Sequence, residues 1–352
     1  MKSVFTAILL SLALALYALP PSSNSDTGGK TAEVKDSVIV NSSSGLNLAV
    51  GDSKVNSGIN AKGAEIKDSA VINNTTGANI AVGNSSANSG IDANGAQIKN
   101  SMLLNNTAGT TIAVGDSKAN SGIEANNASI KNAAVINNTA GATIAAGNSK
   151  ANSGIEANNA TVKDALLLNN TAGATIAAGS SKANSGIEAN NANIKNAAVI
   201  NNTAGATIAV GGSKANSGIE ANGANIKNAA VVNNTAGATI AAGGSHANSG
   251  IEAKNANISN AAVVNNTAGA TIAVGGGHAN SGIEANNATI KNTTIVNNNA
   301  GVTAAWGGGS ANSGVKLNNA TVDGTPIINN NSGVTTNVLP GSSVSTGVNL
   351  GD

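Results

Sequence analysis

From Ala32 onward the chain repeats itself every 32 residues, ten times in succession, with no insertion in the first nine blocks. No other feature restricts the fold so strongly. The block starting at Ala192, ANIKNAAVINNTAGATIAVGGSKANSGIEANG, shows the pattern. A period this rigid leaves no room for linkers, so each block is one structural unit stacked directly on the next. Residues 32 apart then form columns. Block position 10 is Asn in every copy, among them Asn73, Asn105, Asn137, Asn169, Asn201, Asn233 and Asn265. Position 14 is always Gly, as at Gly77, Gly109, Gly141, Gly173, Gly205, Gly237 and Gly269. Position 25 is Asn in nine copies, including Asn88, Asn120, Asn152, Asn184, Asn216 and Asn248. Position 27 is Gly in the same nine, including Gly90, Gly122, Gly154, Gly186 and Gly218.

These residue types explain the columns. Asn in a turn can hydrogen-bond its amide to the amides above and below, forming a ladder, and Gly supplies the positive φ that a tight arc demands. Between them lie short apolar segments, IKNAAVI, ATIAV and GIEA, bounded by Gly and Asn. Ala is abundant, yet Gly and Asn recur too densely for a helical apolar stripe, so the segments read as strands. The expectation is an all-β chain, a β-solenoid with about one coil and about three strands per block. Ten coils at ~4.8 Å per rung give a rod roughly 45 to 50 Å long. Its thin interior would hold columns such as Ile66, Ile98, Ile130 and Val162.

Position 4 stacks Lys35, Lys67, Lys99, Lys131, Lys163, Lys195, Lys227 and Lys291. At rung spacing their repulsion is about 0.9 kcal/mol per pair in bulk water before salt screening. That is tolerable on a wet face, and two coils per block would halve it, so a two-coil block stays open. An acidic column at position 29, Asp92 and Glu124 through Glu284, is expected on the surface, close enough to offset the lysines.

The flanks differ from the repeats. Residues 1–19 carry one charge, Lys2, and then an apolar run, which reads as a secretory signal peptide followed by a polar linker over 20–31. Regular blocks occupy 32–319, and a divergent block occupies 320–352. There Asp323 replaces the position-4 Lys, Pro326 enters the first strand, and the pattern slips by one residue after Gly333. Proline cannot donate to a ladder, so this block reads as an end cap, with Trp306 plugging the adjacent core.

Composition closes off most chemistry. With no Cys there is no disulfide and no thiolate site, and 18 cations against 17 acids leave no electrostatic footprint for nucleic acid. His246 and His278 sit one block apart where other blocks carry Lys, a solvated column without further ligands, so no metal site is expected. Calcium-binding repeats need an aspartate in every turn, whereas the Gly-rich turns here carry only Asp52 and Asp116. The expectation is no enzyme, no cofactor, no small-molecule substrate and no nucleic-acid partner.

The stretches SGLNLAVGD from Ser44, TGANIAVGN from Thr76 and AGTTIAVGD from Ala108, each followed by a polar Ser- or Asn-containing turn, resemble the repeats of the Fap class of bacterial functional amyloid. The linker-free layout is also similar to that of the curlin subunits. The chain departs from the Fap pattern in having no long linkers, a single Gln and no Cys. The resemblance implies export through dedicated machinery and head-to-tail self-assembly into extracellular fibres of a biofilm matrix. Competing expectations are a monomeric solenoid serving as an adhesin stalk or surface spacer and, more distantly, an ice-binding solenoid.

Overall fold

The computed structural model describes residues 33–338 and 340–349. The signal-peptide and linker readings lie outside the described residues. What is described is a β-solenoid of stacked parallel coils, one per block, with no helix among the described residues. Pairing fixes the count: Asn193 pairs with Asn225, Asn201 with Asn233 and Ile219 with Ile251, each 32 residues on. Two coils per block would pair residues 16 apart, so that alternative is excluded.

Each coil contributes to four sheets rather than to the three strands expected. In the coil from Ala192 the strands are Asn193–Lys195 in the first sheet, Ala198–Ala204 and Thr207–Val210 in the second, Lys214–Asn216 in the third and Ile219–Glu220 in the fourth. In other coils the second-sheet strand runs unbroken, as in Ala230–Ala242. Two departures from the sequence reading have local causes. The IKNAAVI segment is divided at position 5, where Asn196 has φ 51°, a left-handed conformation that Asn tolerates. The NNTAG segment is strand rather than turn up to its Gly, so the position-10 Asn residues sit within a strand and point inward.

The cross-section has three parts. A larger apolar lobe packs Ile194, Val199, Ile219, Ala221 and Ala224 between the first, second and fourth sheets. A smaller lobe is built from Ala columns, Ala209 and Ala215 in this coil, at the corner of the second and third sheets. Between them runs a buried polar spine of Asn201, Thr203, Thr207 and Ser217. The expected columns of Ile, Val, Ala and Leu fill the two lobes, and the polar spine between them is what that expectation lacked.

Candidate functional site

In a repeat of this kind the invariant columns are candidates for function, and the spine links its members in a continuous hydrogen-bonded run along the axis. Asn201 Nδ2 donates to the Ser217 carbonyl at 2.6 Å and to Asn233 Oδ1 of the following coil at 2.8 Å. Its Oδ1 accepts from Asn169 Nδ2 at 2.7 Å and from the Thr203 hydroxyl at 3.2 Å. The same ladder runs from Asn41 to Asn329. The position-25 ladder runs the other way: Asn216 Nδ2 donates back to Asn184 Oδ1 at 3.0 Å, while its Oδ1 accepts from Gly218 N–H at 3.1 Å. The two amide ladders thus present donors to opposite ends of the rod, and their dipoles oppose one another.

A third column went unread in the sequence. Thr207 Oγ1 bonds Ser217 Oγ within the coil, and Ser217 Oγ donates to Thr175 Oγ1 of the preceding coil at 3.0 Å. Hydroxyls therefore zigzag along the axis beside the amides. The signal was present, since position 26 is Ser in nine blocks, but Ser in an NSG context reads as turn.

The two glycine columns are glycine for different reasons. Gly205 has φ +136°, and a Cβ on it would lie 1.5 Å from the Gly173 carbonyl oxygen of the preceding coil. Gly218 has no left-handed φ, so the expected conformational reason fails there. Close approach replaces it: a Cβ would sit 2.0 Å from the Gly250 carbonyl oxygen of the following coil. Each glycine is an interlock between coils.

The acidic column departs from expectation. Glu124, Glu156, Glu188, Glu220, Glu252 and Glu284 are buried, in the angle between the third and fourth sheets. Their partners are the position-23 cations rather than the position-4 lysines: Lys118, Lys150, Lys182 and Lys214 lie 2.5 to 2.7 Å from Glu124, Glu156, Glu188 and Glu220. Neighbouring carboxylates one rung (~4.8 Å) apart repel by about 3 kcal/mol at an effective dielectric of ~20, and a cation at about 2.6 Å attracts by roughly twice that. The alternation holds the column together. Burial raises the Glu124 carboxyl above its ordinary range despite Lys118. Burial also pushes Glu156 upward, but the charge and hydrogen bond of Lys150 prevail and lower it.

In two coils His replaces the Lys. His246 Nε2 lies 3.1 Å from Glu252, His278 Nε2 lies 2.9 Å from Glu284, and the two rings are vertical neighbours with centroids 4.8 Å apart. Among the described residues no three groups converge as metal ligands.

Trp306 and Pro326 do not act as expected. Trp306 continues the outward column of Val274 and is 40% exposed, so it plugs no core. Pro326 occupies a position whose N–H, in other coils, points back to the preceding coil, as Thr294 N–H does to the Ala261 carbonyl. The donor it lacks faces Thr293, inward, leaving the outer edge of the last coil unaffected. The slip is accommodated between Val338, which pairs with Trp306, and Ser343, which pairs with Ser310 at a spacing of 33.

No protein-family model and no curated protein matches the chain. Solved structures it is similar to include the plasmid-mediated fluoroquinolone resistance protein QnrB1, at 12% identity over 80% of this chain and 91% of that one, with a TM-score of 0.19. The A-module of the Azotobacter vinelandii mannuronan C-5 epimerase AlgE6 is 13% identical over 92% of this chain and 91% of its own, TM-score 0.20. The receptor-binding domain of the siphovirus 9NA tailspike is 9% identical over 91% and 78%, TM-score 0.18. At these TM-scores the likenesses carry no argument about what the chain does.

Proposed function

We propose that the chain is a secreted, non-catalytic structural subunit that extends head to tail into extracellular fibres of a biofilm matrix. The observation that carries this reading is Gly347. In every coil before it the position-27 glycine is required because a Cβ would strike the following coil, as Gly314 would strike the Gly347 carbonyl oxygen at 2.1 Å. Gly347 itself has no left-handed φ, and a Cβ there meets nothing within 4 Å. Its block has drifted at neighbouring positions, with Ser345 for Asn, Val348 for Ile and Asn349 for Glu. A glycine kept without need inside the chain is explained by a following coil, the first coil of another copy, bringing Gly58 against it.

The ends are complementary in other respects. Among the described residues, the first-coil strand Val38–Gly51 pairs on one side only. The position-10 ladder points its donors from Asn41 toward Asn329, so the last coil offers a donor where the first offers an acceptor. Unpaired parallel edges of this kind template addition, and a heterologous contact that does not close on itself yields a filament. The repeat's resemblance to Fap subunits and the apolar leader support export, through machinery that the resemblance implies.

The test is Gly347→Val compared with Gly314→Val. The first variant is expected to fold as the parent does by circular dichroism and to form no filaments by electron microscopy. The second is expected to fail in folding itself. A Gly347→Val chain that elongates at the parent's rate overturns the head-to-tail joint, and a parent that remains a short rod at all concentrations favours the stalk or spacer.

A further inference from the structure

The second sheet presents an outer face without a single charge. Block positions 7 to 20 hold no Lys, Asp, Glu or His in any of the ten coils, although the chain has 18 cations and 17 acids. Among the described residues the charges fall on the other three sheets or on their corners. A solvated face of a long rod has no reason to exclude charge so completely, and a face that is covered does.

The relief of this face is self-complementary. Position 9 is a large aliphatic residue in every coil, from Val40 through Ile136, Leu168 and Ile200 to Ile328, half-buried in most coils and buried at Ile72, and the column forms a low ridge between two grooves. On one side lies a groove of about 820 Å³ along the columns of Asn202, Thr203 and Ala204. On the other lies a groove of about 1290 Å³ along the columns of Asn196, Ala197 and Ala198, whose wall toward the first sheet also carries Asp36, Asp68 and Asp164, so the uncharged groove along Asn202, Thr203 and Ala204 is the one that receives an apolar ridge. Ridge and grooves share the repeat of one coil, so a second copy fits its ridge into a groove at every rung at once.

The one polar column on the face is satisfied along the rod except at its first amide, where Asn74 Nδ2 faces Ser42 and has no partner. Asn202 Nδ2 donates to Asn170 Oδ1 at 2.8 Å, and Asn234 Nδ2 to Asn202 Oδ1 at 2.8 Å. Amides bonded to their own column lose little when water leaves. The size is also adequate. Seven residues at ~3.3 Å by ten rungs at ~4.8 Å give roughly 1,000 Å² per copy, above the ~800 Å² per partner of a standard interface.

We infer that this face, between the arc glycines and the first sheet, is a lateral interface at which two copies of the chain lie side by side, ridge into groove. It is a second contact, separate from the end-to-end joint. The test uses Ala172→Lys/Ala204→Lys, two exposed groove positions whose substitution leaves both core lobes untouched, in a Gly347→Val background that does not elongate. By sedimentation the Gly347→Val chain is expected to run as a dimer of rods. The lysine pair is expected to abolish the dimer, weakening it by about tenfold or more per charge placed in the interface. Lys195→Ala, on the first sheet, is expected to leave it unchanged. A Gly347→Val chain that runs as a single rod, or lysine variants that pair as the parent does, overturns the proposal. A single rod that instead adsorbs to ice or to a crystalline polysaccharide also overturns it and assigns the face to a solid surface. Should Gly347→Val still elongate, the head-to-tail joint fails on its own, and the lysine substitutions are read from filament width, expected to fall from two rods to one.

Discussion

At the scale of the residue, what matters is whether a buried polar atom has its partner. Asn201 engages four groups, and its neighbours in the ladder depend on it. Asn201→Asp keeps the shape but replaces the donating Nδ2 with an oxygen facing the Ser217 carbonyl and Asn233 Oδ1, which it must repel. Each buried group left unsatisfied costs about 1 to 3 kcal/mol, so the substitution is expected to remove roughly 3 kcal/mol or more in urea unfolding. Lys195→Ala, at an exposed position, is expected to change stability by a few tenths of a kcal/mol. Comparable losses from the two would show that the ladder carries no stability. Glu220, which the sequence placed on the surface, belongs with Asn201 as a buried group.

At the scale of the element, the angle between the third and fourth sheets carries a charge column whose members are not equivalent. Burial works to raise Glu284, but the hydrogen bond and charge of His278 and the Asn286 amide draw it down to about 2. An unfolded glutamate titrates near ~4.3. A folded value below the unfolded one gives stability that is present above about pH 4.3 and is lost as pH falls toward about 2. Glu124 has the opposite sign: its raised carboxyl makes the charged form a liability at neutral pH, and acid relieves it. Glu284→Gln is therefore expected to loosen its coil at pH 5.5, above the window in which the folded carboxyl is protonated, by on the order of 2 kcal/mol. Glu124→Gln is expected to be neutral or stabilising at pH 7. Hydrogen exchange at the amides of Ile283 and Ile123 reads the two coils separately. Equal slowing or quickening in both variants would show that the column titrates as one uniform surface.

At the scale of the whole molecule, the rod is a one-dimensional stack in which every column depends on a common period. Deleting residues 160–191 removes one coil and restores every pairing, so the shortened chain is expected to fold with a slightly lower melting temperature, its stability being a sum over neighbouring coils. Deleting Ile200 alone, within the strand Ala198–Ala204, instead turns the later side chains of that strand to the opposite face relative to their neighbours in the adjoining coils. That variant is expected to lose cooperative melting in circular dichroism. Identical melting of the two deletions would mean that the columns do not set the register.

The period, the number of blocks and their in-register stacking follow from the sequence alone, because invariance at Asn201, Gly205, Asn216 and Gly218 repeats a local environment whatever the path between those residues, whereas one coil per block was decided by the strand pairing. The turn at Asn196 was hidden by the apolar residues around it, and so a segment read as one strand became two. Which way a column faces depends on where the chain bends, and that is a property of the closed coil. Glu220 alternates with Ile219 and so points away from the apolar lobe, as a surface residue would. Only the fold of the third sheet against the fourth brings Lys214 and the Asn222 amide over it and buries it. The same holds for Gly218, whose need for a bare Cα comes from the next coil's carbonyl and from nothing in its own conformation. Local chemistry set the columns; closure of the coil decided which of them are inside.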